Sequence, residues 1–193
     1  MLVWRRLYDW VVAAAGHRHA PRWLAVLAFT EACVFPIPPE AMLAPMTLAR
    51  PRRGWHYALL ATLASTAGGL VGYAIGMWFI DVVQPALAQL GYLGAYHQAQ
   101  AWFSRYGVLI VVLAGFTPIP YKVFTIAAGV AGMIVAPFVL ASLVGRGLRF
   151  GLVAGLVIWL GPAFEAHVLK YINWIGWCCL VAAILSLTGF VLA

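Results

Sequence analysis

Two stretches decide the fold: Glu31-Ala-Cys-Val-Phe-Pro-Ile-Pro-Pro-Glu40 and Gly115-Phe-Thr-Pro-Ile-Pro-Tyr-Lys122. In each, an apolar run meets a proline cluster, and a second apolar run leads away: Ala41–Ala49 after the first, Val123–Met133 after the second. Proline has no N–H to donate and its ring clashes with the preceding turn, so a helix entering either stretch must break. The arm before the first break, Arg22–Phe35, has 14 residues, and the arm before the second, Tyr106–Thr117, has 12. At about 1.5 Å per residue these reach roughly 21 and 18 Å, short of the ~30 Å hydrocarbon core of a bilayer. Two half-length helices flanking a break predict a re-entrant hairpin, here over 22–49 and again over 106–133. The alternative is a pair of ordinary spans with proline kinks.

The rest of the chain asks for a membrane. Of 193 residues, 65% are hydrophobic, mean hydropathy is +0.95, and only 12 Lys+Arg and 5 Asp+Glu carry charge. A soluble domain is nearer about 45–50% apolar and about 25% charged, and a disordered chain needs still more charge, so both classes are excluded. The net charge of +7 then marks cytoplasmic loops and anionic lipid heads, not nucleic acid. Cys33, Cys178 and Cys179 are too few for a disulfide framework, and no Cys/His spacing suits a metal; neither metal nor cofactor is expected.

Runs free of Asp, Glu, Lys and Arg locate the spans: Gly54–Ile80 has 27 such positions and Tyr171–Ala193 has 23, each more than the ~20 a crossing helix needs. Residues 134–161 are also long enough but carry Arg146 and Arg149 near their middle. Residues 82–105, with Gln84, Gln89, His97, Gln98 and Gln100, are too polar for a clean span and read as a helical segment at the outer interface. Over 1–20 no continuous apolar run suggests a secretory leader. Trp4, Tyr8, Val11, Val12 and Ala15 instead fall at helical spacing, as in an amphipathic helix lying in the membrane surface.

The two halves repeat. Leu63-Ala64-Ser65 in one answers Leu140-Ala141-Ser142 in the other, and each is followed by glycines four apart: Gly68, Gly72, Gly76, and Gly147, Gly151, Gly155. Such a bare helix face lets a neighbour approach closely in lipid. Arginines flank the first hairpin on both sides (Arg18 and Arg22 before, Arg50, Arg52 and Arg53 after), whereas 82–104 has no Lys or Arg. By the positive-inside rule the first hairpin opens to the cytoplasm and the second to the outside. The expected fold is therefore an all-α integral membrane protein in one domain, 1–193. It is an inverted repeat of two hairpins broken at Pro36, Pro38, Pro39 and at Pro118, Pro120. A Gly-faced span follows each hairpin, with an interfacial helix before them and a C-terminal span after. Secondary transporters use this architecture.

Ionisable residues at bilayer depth are functional candidates by default. Glu31 precedes the first break, Glu40 follows it, Lys122 takes the matching place after the second, and Arg146 and Arg149 share a helix face. Low dielectric disfavours a charged carboxylate, which makes Glu31 and Glu40 candidates for proton coupling. Lys122, Arg146 and Arg149, with the freed half-helix N-termini, suit a phosphate. The structural alternative is a set of salt bridges tying the hairpins to their scaffold.

At the two proline stretches, at Val123-Phe-Thr-Ile-Ala-Ala-Gly129 with Met133 beyond, and at Ser142-Leu-Val-Gly-Arg146-Gly-Leu-Arg149-Phe150, the chain resembles the DedA family (also VTT, or SNARE-associated Golgi-like) in its YqaA-type branch. The resemblance covers roughly 22–160. It implies a multi-pass protein of the bacterial inner membrane that moves lipids, such as polyprenyl phosphate or phospholipids, between leaflets under proton coupling. It also matches Glu31 and Glu40 to the family's acidic positions and Lys122 to a basic one. The expected partners are anionic lipids and protons, with a homo-oligomer left open. A small-solute or ion transporter and a non-transporting envelope scaffold are the alternatives. An enzyme is not expected, since no nucleophile triad, Gly-rich phosphate loop or metal spacing appears.

Overall fold

A computed structural model describes residues 17–33, 38–89, 93–117 and 121–161. Most of the interfacial helix expected over 1–20, the span expected over 171–193, and Pro36, Pro118 and Pro120 lie outside them. Among the described residues every regular element is helical: α1 (Ala20–Cys33), α2 (Glu40–Ala49), a 3-10 turn at Pro51–Arg53, α3 (Gly54–Gln89), α4 (Leu93–Phe116), α5 (Tyr121–Val130) and α6 (Val135–Leu160). Residues 51–80 and 135–160 are long and apolar enough to cross a bilayer.

Two boundaries differ from the sequence reading. Residues 82–105 are not an element of their own: α3 continues past Ile80 to Gln89, and α4 starts at Leu93. For the same reason Tyr106–Thr117 is no separate half-length arm but the second half of a 24-residue helix. Gln and His lower hydropathy, yet they cost a helix at most about 0.7 kcal/mol each. A fall in hydropathy is not a helix break.

Side-chain contacts fix the helix directions. Phe29 faces Gly68 while Ala20 and Leu24 share a cluster with Tyr57 and Ala58, so α1 runs parallel to α3. Gly54 faces Ile158, and Ser65 bonds to Arg146, so α6 runs antiparallel to α3. Gly107 meets Met133 and Gly145 meets Val112, so α4 is parallel to α6, and Gly72–Thr125 and Gly76–Ile126 make α5 parallel to α3. Beyond packing on each other, α3 and α6 exchange support: α1 and α5 rest on α3, α4 and α2 on α6. Thus the α1–α2 unit climbs from one end of the α3/α6 pair and the α4–α5 unit descends from the other. Cys33 reaches Gly68, and Thr117 reaches Arg149, so both breaks end level with the middle of α3 and α6.

The glycines that permit this are only partly those the repeat suggested. A Cβ on Gly68 would stand 2.2 Å from Phe29 O, one on Gly72 2.4 Å from Thr125 Oγ1, and one on Gly76 2.2 Å from Ile126 O. In α6 the tight position is Gly145, 2.6 Å from Val112 O, whereas Gly147, Gly151 and Gly155 meet only Thr62 and Trp55 side chains at 3.5–3.7 Å. The register of the repeat is therefore Leu-Ala-Ser-x-x-Gly, which pairs Gly68 with Gly145.

Outside, the molecule is oily. Leu140, Val144, Leu148, Leu152 and Leu156, four apart along α6, are exposed, as are Leu59, Leu63, Ile75, Trp78 and Phe79 on α3 and Leu109 and Leu113 on α4. Soluble proteins rarely leave contiguous apolar patches beyond a few hundred Å². Stripes on three long helices are the surface that lipid covers.

Candidate functional site

The middle of the bundle holds two acid–base pairs. Arg146 donates from Nη2 to Glu31 Oε2 across α6 and α1, and from Nε to Ser65 Oγ on α3 at 2.7 Å. Its guanidinium lies over the rings of Tyr121 at 5.0 Å and Phe150 at 4.8 Å, and the side chain is 1% exposed. A charge taken this far from water costs several kcal/mol unless paired and hydrogen-bonded. Here a carboxylate, a hydroxyl and two aromatic faces supply that compensation. Arg146 joins α1, α3, α5 and α6.

Arg149, one turn further along the same face, donates from Nε to Glu40 Oε1 and from Nη1 to Thr117 O, both at 2.5 Å. Glu40 opens α2 just after the first break and Thr117 follows α4 just before the second, so one guanidinium ties both breaks together. Its side chain is 22% exposed and that of Glu40 19%. Glu40 Oε2 is buried with no hydrogen-bond partner among the described residues. An unsatisfied carboxylate oxygen is costly in low dielectric. This pair is less enclosed and less satisfied than the first.

Five of the sequence-derived candidates thus fall at one level. Glu31 meets Arg146, Glu40 meets Arg149, and half-buried Lys122 stands in the first turn of α5 beside Tyr121. Pro38 and Pro39 lead into α2, where Pro38 O and Pro39 O accept the first turn's N–H groups at 3.1 and 3.0 Å.

Sequence reasoning missed the residues that complete the site. Ser65 takes the Arg146 Nε–H, and Ser142 takes the Tyr121 hydroxyl at 2.5 Å while donating to Phe138 O at 2.7 Å. These two serines are the repeated Leu-Ala-Ser, each engaged by a residue of the second half. The same register puts Gly69 and Gly72 of α3 where α6 carries Arg146 and Arg149. At Gly69 and Gly72 the neighbours are Tyr121 and Thr125 of α5. At the matching positions, then, α6 makes ion pairs to the α1–α2 unit, whereas α3 packs closely on α5.

This is a helical bundle with an oily exterior, two proline-interrupted units and charge at its centre, and its sequence matches the VTT domain over residues 36–159. The chain belongs to the VTT-domain family. A Haemophilus influenzae protein is 43% identical over 186 residues, 96% of this chain and 97% of its own length. A second, from Histophilus somni, is 41% identical over 184 residues, 95% and 96%. Both are called uncharacterized. No solved structure matches. Family and oily surface together make this VTT-domain protein a membrane protein.

Proposed function

We propose that this protein moves an anionic, phosphate-bearing lipid between the leaflets of a bacterial inner membrane, with a proton as coupling ion. In this reading the α1–α2 and α4–α5 units are re-entrant hairpins of an inverted repeat that enter from opposite faces. The exchanged supports of α3 and α6, and breaks that meet at mid-height, favour it. The observation that carries it is the Glu40–Arg149 pair, which bridges both breaks and leaves Glu40 Oε2 buried and unpartnered among the described residues.

The working step conserves charge. A proton adds to Glu40 Oε2, the neutral acid loosens its hold on Arg149, and the guanidinium turns its fork of N–H groups to the phosphate oxygens. One anion replaces another beside the same cation, so no unpaired charge is left in low dielectric. Lys122 supplies a second cation from the hairpin opposite. Reversal releases the headgroup to the other leaflet and the proton from Glu40. Arg146 and Glu31 stay paired throughout and hold the scaffold. No bond of the lipid is made or broken, so the protein acts as a carrier and not as an enzyme.

The test is leaflet exchange of fluorescent phosphatidylglycerol in proteoliposomes. Wild type should outpace protein-free vesicles and respond to an imposed proton gradient, R149Q should lose transport, and E40Q should lose the response to the gradient. Wild type no faster than empty vesicles would overturn the proposal. So would transport of inorganic phosphate alone, or E40Q and R149Q indistinguishable from wild type.

A further inference from the structure

At the end of the bundle where α1 and α3 begin, Arg50, Pro51, Arg52 and Arg53 line an open cavity of about 650 Å³. We propose that this loop binds the phosphate of an anionic phospholipid headgroup. The site is separate from the Glu40–Arg149 pair, from which the ten residues of α2 set it apart by about 15 Å.

The backbone of the loop is fixed. Pro51 fixes one backbone dihedral, Arg53 N–H closes the 3-10 turn on Arg50 O at 2.9 Å, and Arg50 N–H caps α2 on Met46 O at 3.1 Å. Arg52 and Arg53 are exposed. Among the described residues no acid pairs with Arg52 or Arg53: Glu31 and Glu40 are committed to Arg146 and Arg149. Guanidinium forks present paired donors to phosphate oxygens, and less water must be stripped from them than from an ammonium.

The source of the phosphate follows from what surrounds the loop. Trp23 on α1, Trp55 on α3 and Trp159 on α6 lie at this end, 65%, 61% and 85% exposed. Indoles collect at headgroup depth, which sets Arg52 and Arg53 among lipid phosphates. Arg22, also exposed, adds charge at the same end. The site would hold headgroups whether or not the protein transports them, so this inference stands apart from the transport reading.

The test titrates brominated phosphatidylglycerol against brominated phosphatidylcholine in mixed micelles holding the full chain, with tryptophan quenching as readout. Wild type should prefer the anionic lipid. Losing two headgroup-level arginines in R52Q/R53Q should cut that preference roughly thirtyfold, and R52K/R53K should keep most of it. Inorganic phosphate at millimolar concentration should not displace the lipid. An unchanged R52Q/R53Q overturns the proposal, as does R52K/R53K failing along with it. Displacement by inorganic phosphate would make this a free-anion site. R149Q losing the preference while R52Q/R53Q keeps it would assign selection to the ion pair. Failure of leaflet exchange would leave this binding result untouched.

Discussion

Replacing Glu31 by alanine strands a cation. Arg146 is 1% exposed and its other contacts, Ser65 and the Tyr121 and Phe150 rings, carry no negative charge. Removing one member of such a pair costs about 3–5 kcal/mol, a large part of a typical stability of about 5–15 kcal/mol. For a chain of this size each kcal/mol lowers the melting temperature by about 2–4 °C, so E31A should melt roughly 6–20 °C below wild type. E40A unpairs Arg149, which is 22% exposed and keeps its bond to Thr117 O, so its loss should be less than half as large. Adding R146M to E31A removes the stranded charge and fills the space between the two rings. The double variant should therefore melt above E31A alone, because an apolar replacement of a buried pair is often neutral. Thermal unfolding of detergent-purified protein, followed by size-exclusion chromatography, reads all three. E31A within about 2 °C of wild type, or E40A the more damaged of the two, would refute the division into a structural and a working pair.

Glycine substitutions should separate tight from loose contacts. G68A forces a Cβ to 2.2 Å from Phe29 O and should destabilise by about 1–3 kcal/mol. G151A, whose Cβ would lie 3.6 Å from Trp55, should be neutral or gain up to about 1 kcal/mol of helix propensity; the same melting assay checks both. Y121F removes the hydroxyl donated to Ser142 but keeps the ring under Arg146. It should cost about 1 kcal/mol, whereas Y121A, which removes the ring as well, should cost at least twice that.

Much of the fold was legible because it rests on strong local rules. Proline clusters at 36–39 and 118–120 end helices whatever the context, and the charge-free run from Gly54 announces a span. The ends of α3 and α4 were less so, since hydropathy falls at Val82 while helix propensity does not. In the site, Glu31, Glu40, Arg146 and Arg149 stood out as charges in oil. Which acid meets which base depends on helix directions, and no single stretch encodes those. Ser65 and Ser142 were visible as a repeat, but a serine's role follows from what reaches it. The same tripeptide held the glycine register: counting three residues on from each serine gives Gly68 and Gly145, whereas counting glycine spacing alone gives Gly147.

The geometry is tested most directly by the sidedness of single cysteines in a cysteine-free background, probed in intact and permeabilised cells with a membrane-impermeant maleimide. Positions 22 and 53 should label from one and the same side, because α1 and α3 start together. Positions 98 and 134 should label from the opposite side, since Gln100 of α4 approaches Gly132 at the far end. Labelling of 22 and 53 from different sides would make α1 and α2 together one proline-kinked span and contradict the paired hairpins on which the proposed transport depends.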